Sequence, residues 1–218
     1  MKGINSSLLG FKGLEVPYTL IQHEKTSNHL AIFLPGAGYT NSRPLFHFAE
    51  DVFVNKSMDV LKIDYQYNEK EYDEFSMEDI YEAVQYDVAK VLDRVLDETS
   101  YNQYFIVAKS IGTIALSRVI NRPEFENANI IWLTPLLIID DVLDAMTNSQ
   151  HRSLSFIGTN DRNYDVPRYE RMTLNPNIVS TVIPNVNHGL QYESDTLGSI
   201  DVLKNVIRDL EKFVKNTL

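Results

Sequence analysis

The sequence predicts an α/β fold: a mostly parallel sheet with helices on both faces and an antiparallel hairpin at its amino-terminal side. Three observations predict it. From about residue 59 onward, β-rich runs alternate with amphipathic helical stretches. Two of those stretches carry a clear 3.6-residue apolar period. Ahead of them, two β-rich runs are separated only by the polar "EKTSN", which suggests a hairpin entering the sheet.

The hairpin is read from "LEVPYTLIQH" (14–23) and "HLAIFL" (29–34). Further strands are expected at 59–64, 104–108, 129–134, 153–157 and 179–183, each a short run of β-branched, aromatic and aliphatic residues. Between them, 77–98 places Ile80, Val84, Val88, Val91, Leu92 and Val95 on one helical face. In 199–217 the residues Ile200, Leu203, Ile207, Leu210 and Val214 do the same. The connection 135–152 has room for one helix but not for a lid domain, and no internal repeat, low-complexity tract or linker interrupts the chain. With 218 residues, a single domain spanning 1–218 is the simplest organisation. Crossovers in such a sheet are right-handed and gather loops at the carboxyl ends of the strands, where ligands bind.

Composition narrows the function. The formal charge is −10, from 20 basic and 30 acidic residues, and no run of Lys or Arg forms a basic stripe, so nucleic acid is not an expected partner. No stretch approaches the roughly 18 consecutive apolar residues that cross a bilayer. The amino terminus has no continuous apolar segment of the secretory type, so a cytoplasmic protein without membrane contact is expected. The sequence contains no cysteine, which excludes disulfides, thiolate metal ligands and a Cys nucleophile. Covalent chemistry is left to Ser, Thr or carboxylates.

The stretch "YFIVAKSIGTIAL" (104–116) carries the strongest chemical signal. Its Ala108-Lys109-Ser110-Ile111-Gly112 core is a small-x-Ser-x-Gly pattern, which a chain of this length shows by chance roughly once in six. Context adds the rest: a strand precedes Ser110 and an apolar helix follows, so a sharp turn would lift the hydroxyl out of the sheet. Small residues two before and two after the Ser fit the crowding such a turn creates.

A Ser hydroxyl needs a base to become a nucleophile. In the strand-turn-helix arrangement the chain order is Ser, acid, His, so His23, His29 and His47 fall out. His151 stands just before a strand, at the wrong edge of the sheet. His188, in "IPNVNHGL", lies beyond the 179–183 strand at the edge where Ser110 emerges. The base needs a carboxylate to hold its tautomer. Asp161, in "FIGTNDRNYD", is the preferred candidate, with Asp165 its nearest competitor and Asp140 and Asp141 an alternative that reads more as a helix start.

The developing oxyanion needs two backbone N–H donors. One is expected from Ile111 at the start of the following helix. The other is expected from Ala37, in the glycine-flanked "LPGAG" after an early strand. That loop fits neither G-x-G-x-x-G nor G-x-x-x-x-G-K-[ST], so no nucleotide is expected; no other cofactor and no metal is assigned.

With these pieces in place the chain resembles the α/β-hydrolase superfamily, and more narrowly its small cap-less members: dienelactone hydrolase-like carboxylesterases and the minimal bacterial lipases. "LPGAG", "AKSIG", "GTND" and "NHGL" carry the resemblance, which runs from about residue 14 to the end of the chain. It implies a serine hydrolase that acts on a small-molecule ester, thioester or lactone through Ser110, His188 and Asp161. Three positions depart from the pattern. Ala108 replaces the usual first glycine, Pro35 stands where relatives often carry His, and Lys109 beside the nucleophile either points away from the site or favours anionic substrates. A non-catalytic ligand-binding module and an acyltransferase are the alternative functions. The acidic, Tyr-rich stretch 64–77 is expected to be a solvated loop with its aromatics on the core, or else a wall of the site. Oligomeric state is not legible.

Overall fold

The computed structural model describes residues 1–24, 26–99 and 101–218. Its elements run β1 (Lys2–Leu9), β2 (Glu15–Gln22), β3 (His29–Leu34), α1 (Pro44–Val54), β4 (Asp59–Ile63), α2 (Met77–Glu98) and β5 (Gln103–Lys109). They continue with α3 (Gly112–Val119), β6 (Asn129–Leu133), α4 (Asp140–Asn148), β7 (Ser153–Gly158), α5 (Val166–Thr173), β8 (Ile178–Ile183) and α6 (Thr196–Lys215). The strands form one eight-stranded sheet in the order β1-β2-β4-β3-β5-β6-β7-β8. From β4 to β8 all neighbours are parallel, and β1–β2 and β2–β4 are antiparallel.

The expected architecture is present, but the hairpin is made of different strands. β2 and β3, the runs at 14–23 and 29–34, do not pair; β4 lies between them. The hairpin is β1–β2, closed by a turn in which the Gly10 amide donates to the Leu14 carbonyl and Gly13 takes a positive φ of 77°. β1, "KGINSSLL", is exposed along nearly its whole length. It therefore lacks the apolar alternation by which a strand is recognised. β3 is buried at nearly every position, which suits a central strand and not an edge.

Two apolar layers sandwich the sheet. Along β5 the side chains alternate: Tyr104, Ile106 and Ala108 pack into the layer under α2, α3 and α4, while Phe105 and Val107 pack into the layer under α1 and α6. α2 follows the predicted face, with Ile80, Val84, Val88, Val91, Leu92 and Val95 all buried. It starts in a capping box, in which Ser76 Oγ accepts from the Asp79 amide and Asp79 Oδ2 accepts from the Ser76 amide. α6 is rotated from the predicted face. Val202, Val206, Leu210, Phe213 and Val214 point inward, whereas Ile200 is 54% exposed. Both stripes have helical spacing and adjoin one another, and burial follows the one that carries Phe213.

In the α1/α6 layer, Phe33 sits edge-on to Phe46 and Phe53, with centroid separations of 5.6 and 5.7 Å. Phe33→Ala removes a fully buried ring from between these neighbours. It is expected to lower unfolding free energy by about 3–5 kcal/mol, read by urea denaturation.

Candidate active site

Ser110 follows directly on β5 and adopts φ +52°, a left-handed conformation that L-residues other than Gly rarely take. The turn is held by backbone on both sides: the Ser110 amide donates to the Leu133 carbonyl, and the Thr113 amide and hydroxyl donate to the Ser110 carbonyl. α3 then begins at Gly112, where any Cβ would overlap the Leu34 carbonyl oxygen. Ala108 is fully buried on the opposite side of the turn. The demand for a small residue at Gly112 thus has a steric cause.

His188 follows β8, and its Nε2 lies 2.8 Å from Ser110 Oγ. Its Nδ1 lies 2.7 Å from Asp161 Oδ2, in the loop after β7. The Asp161 side chain is wholly buried. Burial alone would raise its pKa. The His188 hydrogen bond and the Asn163 backbone and side-chain donors outweigh burial and hold the carboxyl below its ordinary value. The turn carrying His188 is shaped by Asn187, whose Oδ1 accepts from the Gly189 amide at 2.8 Å.

The structure thus brings Ser110, His188 and Asp161 into one hydrogen-bonded chain. The competing carboxylates lie elsewhere: Asp165 caps α5 by accepting from the Arg168 amide, Asp140 pairs with Arg168 in the first turn of α4, and Asp141 is exposed in that same turn. His151 is buried at the amino edge, bonded to Ser149 and the Phe125 carbonyl.

Ile111 occupies the cap position of α3, and Ala37 lies in the loop after β3. Among the described residues neither amide donates a hydrogen bond. The Ala37 loop reaches the nucleophile closely: a Cβ on Gly36 would come within 3.4 Å of Ser110 Cβ. Below it, Tyr65 donates to the Pro35 carbonyl at 2.6 Å. Tyr65 and Tyr67 are buried and stacked with centroids 4.9 Å apart, while Tyr72 and Phe75 pack partly buried against the same core. The Tyr-rich stretch therefore lays its aromatics on the core and braces the Ala37 loop from beneath.

Three contributors were not singled out from the sequence. Asn163 donates from its backbone and its side chain to Asp161 Oδ1, both at 2.9 Å. An Asp-x-Asn turn is the signal that could have found it. Tyr65, and Thr134 just after β6, carry no such local signature.

No family model and no curated protein sequence matches the chain. Solved structures do. A serine hydrolase without lid from Xanthomonas campestris superposes with a TM-score of 0.72 at 15% identity, over 100% of this chain and 96% of that one. An esterase from Pyrococcus furiosus gives 0.70 at 14% identity, covering 99% and 92%. Dienelactone hydrolase from Anabaena variabilis gives 0.67 at 17% identity, covering 99% and 97%. The chain has the α/β-hydrolase fold.

Within the α/β-hydrolase fold, no inserted domain covers the carboxyl edge of this sheet among the described residues, and no helix is long and apolar enough to cross a membrane. No three His, Asp or Glu side chains among the described residues converge as metal ligands. A cavity of about 340 Å³ adjoins the site loops, with Tyr39, Leu45, Leu190, Ile200 and Leu203 among its walls and Glu193 in its lining.

Lys109 neither reaches solvent nor faces an incoming substrate. It is 1% exposed, continuing the β5 alternation into the α1/α6 side of the sheet. Its Nζ donates to Thr134 Oγ1 at 2.6 Å and to the His188 carbonyl at 2.8 Å, with the Tyr39 ring centroid 5.0 Å away. Burial pushes its pKa down to about 7, against an upward pull from Asp161. Below about pH 7 the native and unfolded chains both carry the charge, and the native state bears its burial in full. Above about pH 7 the native amine is neutral, so unfolding takes up a proton until the ordinary lysine value near 10.5 is passed. Wild-type unfolding free energy minus that of Lys109→Met is therefore expected to grow between pH 7 and 9, measured by urea denaturation at each pH.

Proposed function

We propose that the protein is a serine hydrolase that cleaves small ester-like substrates, carboxylic esters, thioesters or lactones, through a covalent acyl-enzyme. The observation that carries this reading is the unbroken chain Ser110 Oγ, His188 Nε2, His188 Nδ1, Asp161 Oδ2, at 2.8 and 2.7 Å. Ser110 Oγ attacks the substrate carbonyl and its proton passes to His188 Nε2. Asp161 holds the proton on Nδ1 and stabilises the imidazolium. The Ile111 and Ala37 amides, free of internal partners, receive the oxyanion. Collapse of the tetrahedral intermediate expels the alcohol or thiol, which takes the proton from His188. Water then attacks the acyl group by the same route in reverse.

Support also comes from the names of the structural neighbours, which are serine hydrolases, esterases and a dienelactone hydrolase. The uncovered carboxyl edge favours small substrates over long buried acyl chains. A fluorophosphonate probe is expected to label the wild type and spare Ser110→Ala; equal labelling of the two would remove Ser110 from the mechanism. Asp161→Asn keeps the shape of the site but loses the tautomer control. It is expected to lower kcat on a p-nitrophenyl ester by a factor on the order of 10³–10⁴, with the fold intact by circular dichroism.

A further inference from the structure

Among the described residues Lys109 is the one fully buried cationic side chain, and the proposed reaction leaves it unused. A buried amine is costly unless its protons are satisfied, and a Met or Leu would fill the same space without that demand. What distinguishes this amine is where its protons go. It leaves β5 one residue before the nucleophile and reaches two other strand ends. One is Thr134, which follows β6 in a left-handed conformation with φ 45°; the other is the main chain of His188, beyond β8. The two acceptors match the two N–H groups of a neutral amine, and the Tyr39 ring face lies within cation–π distance when a third proton is present. The tether therefore survives in either protonation state.

We propose that Lys109 is the positioning residue of the general base: by binding the His188 carbonyl and Thr134 together, it sets the height of the imidazole above Ser110. Asp161 fixes the rotation of the ring, and Asn187 fixes the turn that follows, but among the described residues only Lys109 ties the His188 backbone to the strand that carries the nucleophile. Without it the His188 carbonyl loses the side-chain donor that holds it, and the loop is free to shift. A misplacement of about 1 Å between base and nucleophile costs on the order of a hundredfold in rate. The proposal rests on the reading of Ser110 and His188 as nucleophile and base.

The test compares wild type, Lys109→Met and Thr134→Ala in three measurements. These are the second-order rate of fluorophosphonate labelling, the thermal midpoint, and the downfield proton resonance of the His188 Nδ1–H shared with Asp161. The expected result for Lys109→Met is a labelling rate down about ten- to a hundredfold in folded protein, with the downfield resonance broadened or shifted. Thr134→Ala, which removes one anchor and keeps the other, should show a smaller loss of the same kind. A folded Lys109→Met that labels at the wild-type rate with an unchanged resonance overturns the proposal, since a merely structural lysine would move only the thermal midpoint. If Lys109→Met does not fold, Thr134→Ala decides by the same criteria. Labelling of Ser110→Ala at the wild-type rate would instead remove the serine-hydrolase reading. In that case the downfield resonance still reports whether Lys109 holds His188 in place.

Discussion

The start of α3 lies so close to the end of β3 that no side chain fits between them. At Gly112 even a Cβ would strike the Leu34 carbonyl oxygen, and this one contact sets the geometry around it. The chain leaves β5 and turns sharply through Ser110 at φ +52°, and α3 comes down onto the sheet at this distance. The same closeness carries the Ala37 loop against the nucleophile, since that loop is the continuation of β3. A strained residue persists only where its surroundings overdetermine it. Here the Leu133 carbonyl, the Thr113 amide and the Thr113 hydroxyl all hold the Ser110 backbone.

Around that turn the parallel strands do the assembly. β5, β7 and β8 end on the same edge, so Ser110, Asp161 and His188 come from distant parts of the sequence, yet each needs only the few residues after its own strand to reach the others. Asp161 is bound from both sides, by His188 and by Asn163. That is why a wholly buried carboxyl keeps its charge below the ordinary carboxylate range despite desolvation.

What could be read from the sequence was what has a period or an order. The alternation of β-rich and amphipathic runs located β4 to β8 to within a residue at each end, and β3 was located as a β-rich run though assigned to the hairpin. The face of α2 was legible because its apolar residues form a single stripe. Chain order and strand edge singled out His188 from five histidines and favoured Asp161 over Asp165; in the structure His188 lies within hydrogen-bond distance of Ser110, and Asp161 within hydrogen-bond distance of His188. What could not be read lacked such a signature. β1 has polar residues on both faces, so nothing marked it as a strand, and the hairpin was assigned to β2 and β3. On α6 two apolar stripes overlap, and only packing chooses between them. Lys109 is a polar residue at an inward position, so no pattern of hydrophobicity could say what it binds; that depended on Thr134 and His188 arriving from two other strand ends.

One arrangement far from the chemistry links the edge of the sheet to its centre. Asp87, buried on α2, accepts from the Phe11 amide beside the β1–β2 turn and from the Tyr67 hydroxyl. Tyr67 stacks on Tyr65, whose hydroxyl holds the Pro35 carbonyl. Burial holds the pKa of Asp87 above its ordinary value, against a downward pull from its donors. A fluctuation that lifts the hairpin would strip a donor from a carboxyl that stays enclosed, at a cost of about 1–3 kcal/mol. The hairpin at the β1 edge of the sheet is thereby tied to a buried group, which raises the cost of the local opening that sheet edges ordinarily undergo.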